Sequence, residues 1–177
     1  MISYKEAKKI LKKSKIIIKD ELIDSSKALN RINASDVYSP VNYPAGNNAA
    51  FDGFAIRSVE TNKLNKKYFK KFKILKTISA GDNPKLKKVK RFETVEVMTG
   101  ALIPKFFDTI IPIEKIIFYP NNESKKYIIV DKKVKKNQHI RYEGSDYKKK
   151  DLIVKKGTII QSSHILSLKT LGIKNIK

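Results

Sequence analysis

At 177 residues, 41% of them hydrophobic, the chain is long enough for one ordinary domain or two small ones with packed cores. It carries no cysteine, which excludes disulfides and thiolate metal sites. Its net charge of +22 points toward polyanions, yet only four of the 39 basic residues are arginine, the side chain suited to bidentate phosphate and base recognition. The lysines run through the whole chain beside abundant Ile and Asn, as an AT-rich coding sequence would give. A basic nucleic-acid-binding protein therefore stays as an alternative, and specific nucleic-acid binding is not expected. The first residues lack the apolar stretch of a signal peptide, and runs such as Ile16–Ile18 are too short to span a membrane, so a cytoplasmic protein is expected.

Ser3 and Glu6 have the spacing of a capping box, and Tyr4, Ala7, Ile10 and Leu11 share a helical face, which predicts an amphipathic helix from Ser3 to about Ser14. Ile16–Ile18 and Glu21–Ile23 are short strand candidates. Ala28, Leu29 and Ile32 predict a short helix over Ser26–Ile32. Pro40 and Pro44 bracket an extended linker. Beyond Arg57 the pattern is mostly β: strands are predicted over Phe72–Ile78, Thr94–Met98 and Thr109–Ile113. Pro112 makes the last of these an edge or a bulge. Ile116–Tyr119 and Tyr127–Val130 flank a turn at Pro120–Glu123, a hairpin. Leu152–Val154 leads into a turn at Gly157, a last helix starts at Ser162 or Ser163, and Gly172 suits its C-terminus. The fold class expected is α+β and β-rich.

The most informative stretch is Asn47–Arg57, which contains no lysine and sets Asp52 against Gly53. An Asp-Gly pair ordinarily marks a tight turn, and an apolar strand-like segment follows it here. That pattern suits a carboxylate held at a strand start and facing a cleft. Val97–Ala101 runs a strand into Thr99-Gly100. It reads either as an ordinary strand end or as a hydroxyl and backbone N–H groups arranged for an oxyanion. In Ile140–Asp146, Arg141 is read as a structural residue pairing with Glu143 or Asp146 across a turn. His139 and His164 are the two histidines and do not make a metal site. No Walker loop, dinucleotide fingerprint or nucleophile elbow occurs.

These blocks resemble the N-terminal region of the MoeA-type molybdopterin molybdenumtransferases, relatives of the gephyrin E domain. Ala28–Ile32 with Asp36-Val37 is similar to that family's Ala-Leu-Gly-Arg-Val stretch and following Asp-Val. Pro44–Arg57 resembles its Pro-Pro-Phe-Asp-Asn-Ser-Ala-Met-Asp-Gly-Tyr-Ala-Val-Arg signature, and Met98–Ala101 with Pro104, Asp108 and Glu114 its Met-Thr-Gly-Ala-Pro block. Ile140-Arg141, Gly144, Asp146 and Asp151 resemble its Asn-Ile-Arg-x-x-Gly-Glu-Asp segment, and Leu171–Ile173 its Leu-Gly-Ile end. The chain departs from these patterns at Asn30, Gly46, Asn47, Ala49, Phe51 and Leu102, where the family has Gly, Phe, Asp, Ser, Met and Pro.

The resemblance implies an enzyme of molybdenum cofactor biosynthesis that inserts molybdate into adenylylated molybdopterin and releases AMP. It implies a divalent cation such as Mg²⁺, a homodimer, and catalytic roles for Asp52 and Thr99. Asp52 would also hold the Mg²⁺, and Asn48, Gly100 and Arg141 would contribute to cofactor binding. It further implies a discontinuous mixed domain, about residues 1–41 and 139–177, carrying an inserted β-rich domain, about residues 42–138, that bears the Asp52 and Thr99 half-site. In the family the Leu-Gly-Ile end precedes a pterin-binding domain, so adenylylated molybdopterin is expected to be met through a missing or separate domain. A non-catalytic dimerisation or scaffold module of the same family is the alternative, motivated by Ala49 and Leu102.

Overall fold

The computed structural model describes residues 2–14 and 18–177. In chain order its elements are helix α1 (Tyr4–Lys13), strands β1 (Ile23–Asp24), β2 (Val37–Tyr38), β3 (Asn48–Ala49), β4 (Gly53–Ile56), β5 (Lys70–Ile78), β6 (Glu93–Val97), β7 (Thr109–Pro112), β8 (Ile117–Pro120), β9 (Lys125–Val130), β10 (Ile140–Arg141) and β11 (Leu152–Val154), helix α2 (Ser162–Thr170) and strand β12 (Asn175–Ile176). The fold is α+β and strand-rich, as expected.

The chain forms two compact units, one from residues 1–38 and 152–177 and the other from residues 39–151. In the first, β1 pairs antiparallel with β12 and β2 with β11. Ala28, Val154, Ile160, Leu168 and Ile176 are buried together as its core. Helix α1 has the expected cap: Ser3 Oγ accepts from Glu6 N and Glu6 Oε2 accepts from Ser3 N at 2.8 Å, but none of the helix is buried.

Several expectations in this unit are corrected. Ile16 and Ile17 lie outside the described residues, and Ile18 is in no regular element. The helix expected over Ser26–Ile32 is a 3₁₀ turn over Ser25–Lys27 alone. Asn30 has a φ of 61°, which ends helical geometry, and the chain then pairs with the segment near Ile160: Asn30 N donates to Ile160 O and Ile160 N to Arg31 O. Leu29 and Ile32 are accordingly exposed, while Ala28 is buried. The last helix is capped by Gln161, whose N–H donates to His164 Nδ1 at 3.0 Å, rather than by a serine. Gly172 has the left-handed φ expected of it.

The second unit is built on a mixed six-stranded sheet in the order β7-β4-β6-β5-β9-β8. Strands β5 and β6 run parallel and the remaining neighbours antiparallel. Strand β4 is buried along its whole length because both faces are covered: Ala55 joins Val95, Val97 and Ile110 on one face, and Phe54 and Ile56 join Phe72 and Ile128 on the other. Strand β7 is an edge, as Pro112 requires, and β8 and β9 form the expected hairpin. Its turn is held by Asn121 Oδ1, which accepts from Ser124 N at 2.7 Å and from Glu123 N at 3.1 Å.

Residues 139–151 fall in the second unit. Strand β10 pairs with β3, and Tyr43 bridges Tyr147, so this segment closes on the start of the second unit. Short pairs of two residues carry no alternation of their own, which is why neither β3 nor β10 was readable as a strand.

Candidate functional site

Gly53 is in strand β4, not in a turn. A methyl group placed on it would come within 2.2 Å of Ile111 O on β7, so only glycine lets the two backbones approach. The Asp-Gly pair thus marks a crowded strand entrance, and Asp52 sits just outside it, with Asp52 O accepting from Ile113 N at 3.0 Å. The Asp52 side chain is exposed.

Strand β6 ends at Val97, beside the first residue of β4. The turn that follows brings Thr99 onto Asp52: Thr99 N donates to Asp52 Oδ1 at 2.6 Å and Thr99 Oγ1 donates to the same oxygen at 2.7 Å. The Thr99 hydroxyl first and its N–H second hold the Asp52 carboxyl below the usual aspartate range, against a smaller opposing effect of desolvation. Among the described residues Asp52 Oδ2 has no hydrogen-bond partner. The pair therefore presents an ionised carboxylate with one oxygen fixed and the other open.

Gly100 makes the turn, with a φ of +82° that disfavours any other residue. Its N–H donates to Ala49 O at 2.9 Å, and Ala49 N donates to Ala101 O at 2.9 Å. Strand β3 is thereby laid along the Thr99–Leu102 segment, with Asn48 opposite Leu102 on that side and opposite Arg141 on the other. So Asn48, Gly100 and Arg141 meet through β3. Asn48 Oδ1 is buried and, among the described residues, has no hydrogen-bond partner. Arg141 behaves as the structural residue the sequence suggested: its guanidinium is paired with Asp146 and lies 5.7 Å from the centre of the Tyr43 ring.

Two neighbours were missed. The Ser79–Asp82 turn follows β5, whose parallel pairing with β6 puts both strand ends together, and Ala80 Cβ lies 3.6 Å from where a Gly100 side chain would start. Nothing in the alternation of β5 signals a parallel partner. Phe51, half-exposed, stands edge-on to His139 with ring centres 5.1 Å apart. That contact joins residues far apart in sequence and has no local signal. Among the described residues no cluster of three or more His, Asp or Glu side chains suits a metal ion, and no helix is long and apolar enough to cross a membrane.

The model of the family described as the MoeA N-terminal region (domain I and II) matches residues 2–172. The chain belongs to the MoeA N-terminal-region family. It is 34% identical over 152 residues to a molybdopterin molybdenumtransferase of Staphylococcus aureus, a match covering 85% of this chain and 35% of that protein. It is 30% identical over 176 residues to the protein of the same name from Staphylococcus epidermidis, covering 99% of this chain and 41% of the relative. A crystal structure of a molybdopterin biosynthesis MoeA protein from Pyrococcus horikoshii superimposes with a TM-score of 0.86 at 27% identity, covering 99% of this chain and 43% of that one. The chain thus spans well under half the length of the MoeA proteins it matches.

Proposed function

We propose that this chain supplies the Asp52–Thr99 half of a molybdate-inserting site, acting in molybdenum cofactor biosynthesis on adenylylated molybdopterin with release of AMP. The observation that carries the reading is the double hydrogen bond from Thr99 to one oxygen of Asp52. It keeps the carboxylate ionised and aimed, which is what a group that positions charged reactants requires.

A divalent cation such as Mg²⁺ would have the single carboxylate of Asp52 as its protein ligand here. Mg²⁺ takes hard oxygen ligands and is commonly held by one or two carboxylates, with water and substrate phosphates completing its shell. Asp52 Oδ2 is the oxygen that would hold it, because Oδ1 is taken up by Thr99. Bound there, the cation would neutralise phosphate charge and stabilise the anionic leaving group. Thr99 would fix the Asp52 rotamer, and the Gly100 turn would hold Thr99. Molybdate enters as a substrate, and AMP is released as water adds across the bond that joins it to molybdopterin, one product taking the water's oxygen and the other its proton. The family relationship supports a homodimer in the cytoplasm that meets adenylylated molybdopterin through a pterin-binding domain.

Ala49 and Leu102, the departures that motivate a scaffold reading, take no part in the Asp52–Thr99 hydrogen bonds. Ala49 acts through its backbone, bonded to Gly100 and Ala101. Gly46 and Leu102 fit one another: Leu102 Cδ2 lies 2.7 Å from where a Gly46 side chain would begin.

The test is formation of molybdenum cofactor from molybdate and adenylylated molybdopterin, with and without a separately produced MoeA pterin-binding domain. Cofactor should form only when the two are combined, and Asp52→Ala should abolish it. Formation unaffected by Asp52→Ala would overturn the assignment.

A further inference from the structure

Asn137 and His139 both have left-handed backbones, with φ of 67° and 59°, and Gln138 lies between them. Asparagine and histidine accept that region more readily than most residues, and such positions persist where their surroundings fix them. Here the surroundings are two separate segments. Asn137 N donates to Asp108 O at 2.8 Å, and Gln138 O accepts from Ile110 N on β7 at 3.1 Å. The next carbonyl serves the other segment: His139 O accepts from Ala50 N at 3.0 Å. We propose that His139 is a positioning residue for Asp52, its carbonyl holding Ala50 and its ring holding Phe51.

The place of Asp52 in the chain gives these two contacts their weight. Strand β3 ends at Ala49 and β4 begins at Gly53, so Ala50–Asp52 is a link between strands. On its far side the link is firm, because Gly53 pairs with both β6 and β7 and Asp52 O accepts from Ile113 N. On its near side, the hydrogen bond of the Ala50 N–H and the ring contact of Phe51 both go to His139. Phe51 is half-exposed, so no core fixes its ring. The edge-on contact with His139, ring centres 5.1 Å apart, selects its rotamer. Thr99 then meets a carboxylate whose backbone is already held from both sides. Without the ring contact, Phe51 and the link are freer to turn, and the two Thr99 hydrogen bonds lose their alignment. The placement is a property of this chain alone, while its effect on turnover rests on the reading of the Asp52–Thr99 pair as a half-site.

Two variants separate the backbone of His139 from its ring. His139→Asn keeps the carbonyl and a residue suited to the left-handed region, and removes the ring. His139→Phe restores a ring, and Phe92 at a φ of 57° is a phenylalanine with the same backbone in this fold. The reporter is the amide proton of Thr99, which donates to the Asp52 carboxylate at 2.6 Å and so resonates downfield. In ¹H–¹⁵N spectra of the chain alone, that proton should move upfield in His139→Asn, toward its position in Asp52→Ala, and return in His139→Phe. Phe51→Ala removes the other ring from an exposed position that puts folding at little risk, and should move the proton the same way. In the mixture with a separate pterin-binding domain, His139→Asn should lower kcat for cofactor formation about tenfold with KM little changed, and His139→Phe should recover it.

A merely structural histidine would lower the urea midpoint and leave the Thr99 proton in place, and that result overturns the proposal. So does a Thr99 proton unmoved in Phe51→Ala, or an upfield shift that His139→Phe does not reverse. A parent mixture that forms no cofactor counts against the half-site reading, and the Thr99 proton still decides the placement of Asp52.

Discussion

Thr99 donates twice to one oxygen of Asp52 and leaves the other open, so the state of this carboxylate is controlled by a single neighbour. Replacing Thr99 with valine keeps the shape and the backbone N–H but removes the hydroxyl, the larger of the two lowering influences. The Asp52 carboxyl should then titrate at higher pH than in the parent, and Thr99→Ser should restore the parent value, as ¹³C NMR of the carboxyl carbon would report. The sign for stability follows. A carboxyl whose folded-state pKa is depressed contributes stability above its unfolded pKa and loses it as pH falls through the folded value. The stability difference between the parent and Asp52→Asn should therefore be full at neutral pH and vanish in acid. Urea midpoints measured across that range check it, and a difference that grows in acid would contradict the geometry.

At the level of elements, two glycines separate crowding from conformation. An added methyl at Gly53 meets the backbone of β7 at 2.2 Å, and no rotamer relieves that. Gly53→Ala should cost about 1–3 kcal/mol or more in denaturant unfolding, as overpacking does. Gly157 has open space around it but a φ of +83°, so Gly157→Ala should cost about 1–2 kcal/mol, from conformation alone. Helix α1 behaves differently, because none of it is buried. Ser3→Ala should remove about 1 kcal/mol of helix stability by loss of the cap. The loss should appear as faster hydrogen exchange at Ala7 and its neighbours with an unchanged global midpoint, since an unpacked helix opens on its own. The same distinction explains what the sequence made legible. The α1 cap, the β8–β9 hairpin and the Pro112 edge are local and were readable, and Asp52 and Thr99 stood in recognisable blocks. What was not readable is pairing across the chain: β3 with β10, β5 beside β6, and the Ile160 segment that overrides the helix expected after Ser26. Each is decided by a distant partner, and Asn30 alone gives only a hint of the last.

At the level of the whole molecule the dominant fact is +22 of net charge. Few of the lysines have carboxylate partners: the ion pairs formed by lysine among the described residues are Lys169 with Asp24 and Lys177 with Asp20. Others lie over aromatic rings, such as Lys71, with its Nζ 3.3 Å from the centre of the Tyr119 ring. Most of the excess is therefore solvated and mutually repelling, which destabilises a compact state. Salt shortens the reach of that repulsion from about 30 Å at 0.01 M to about 8 Å at 0.15 M. The melting temperature should accordingly rise with sodium chloride between these concentrations, because far more pairs repel than attract. A protein whose surface charges were balanced would show little change or a fall. The same charge predicts that binding to duplex DNA, where it occurs at low salt, is lost steeply as salt rises and is indifferent to sequence. Binding that persists at 0.15 M salt and discriminates between duplexes would instead require a built nucleic-acid site, and would return that alternative to the front.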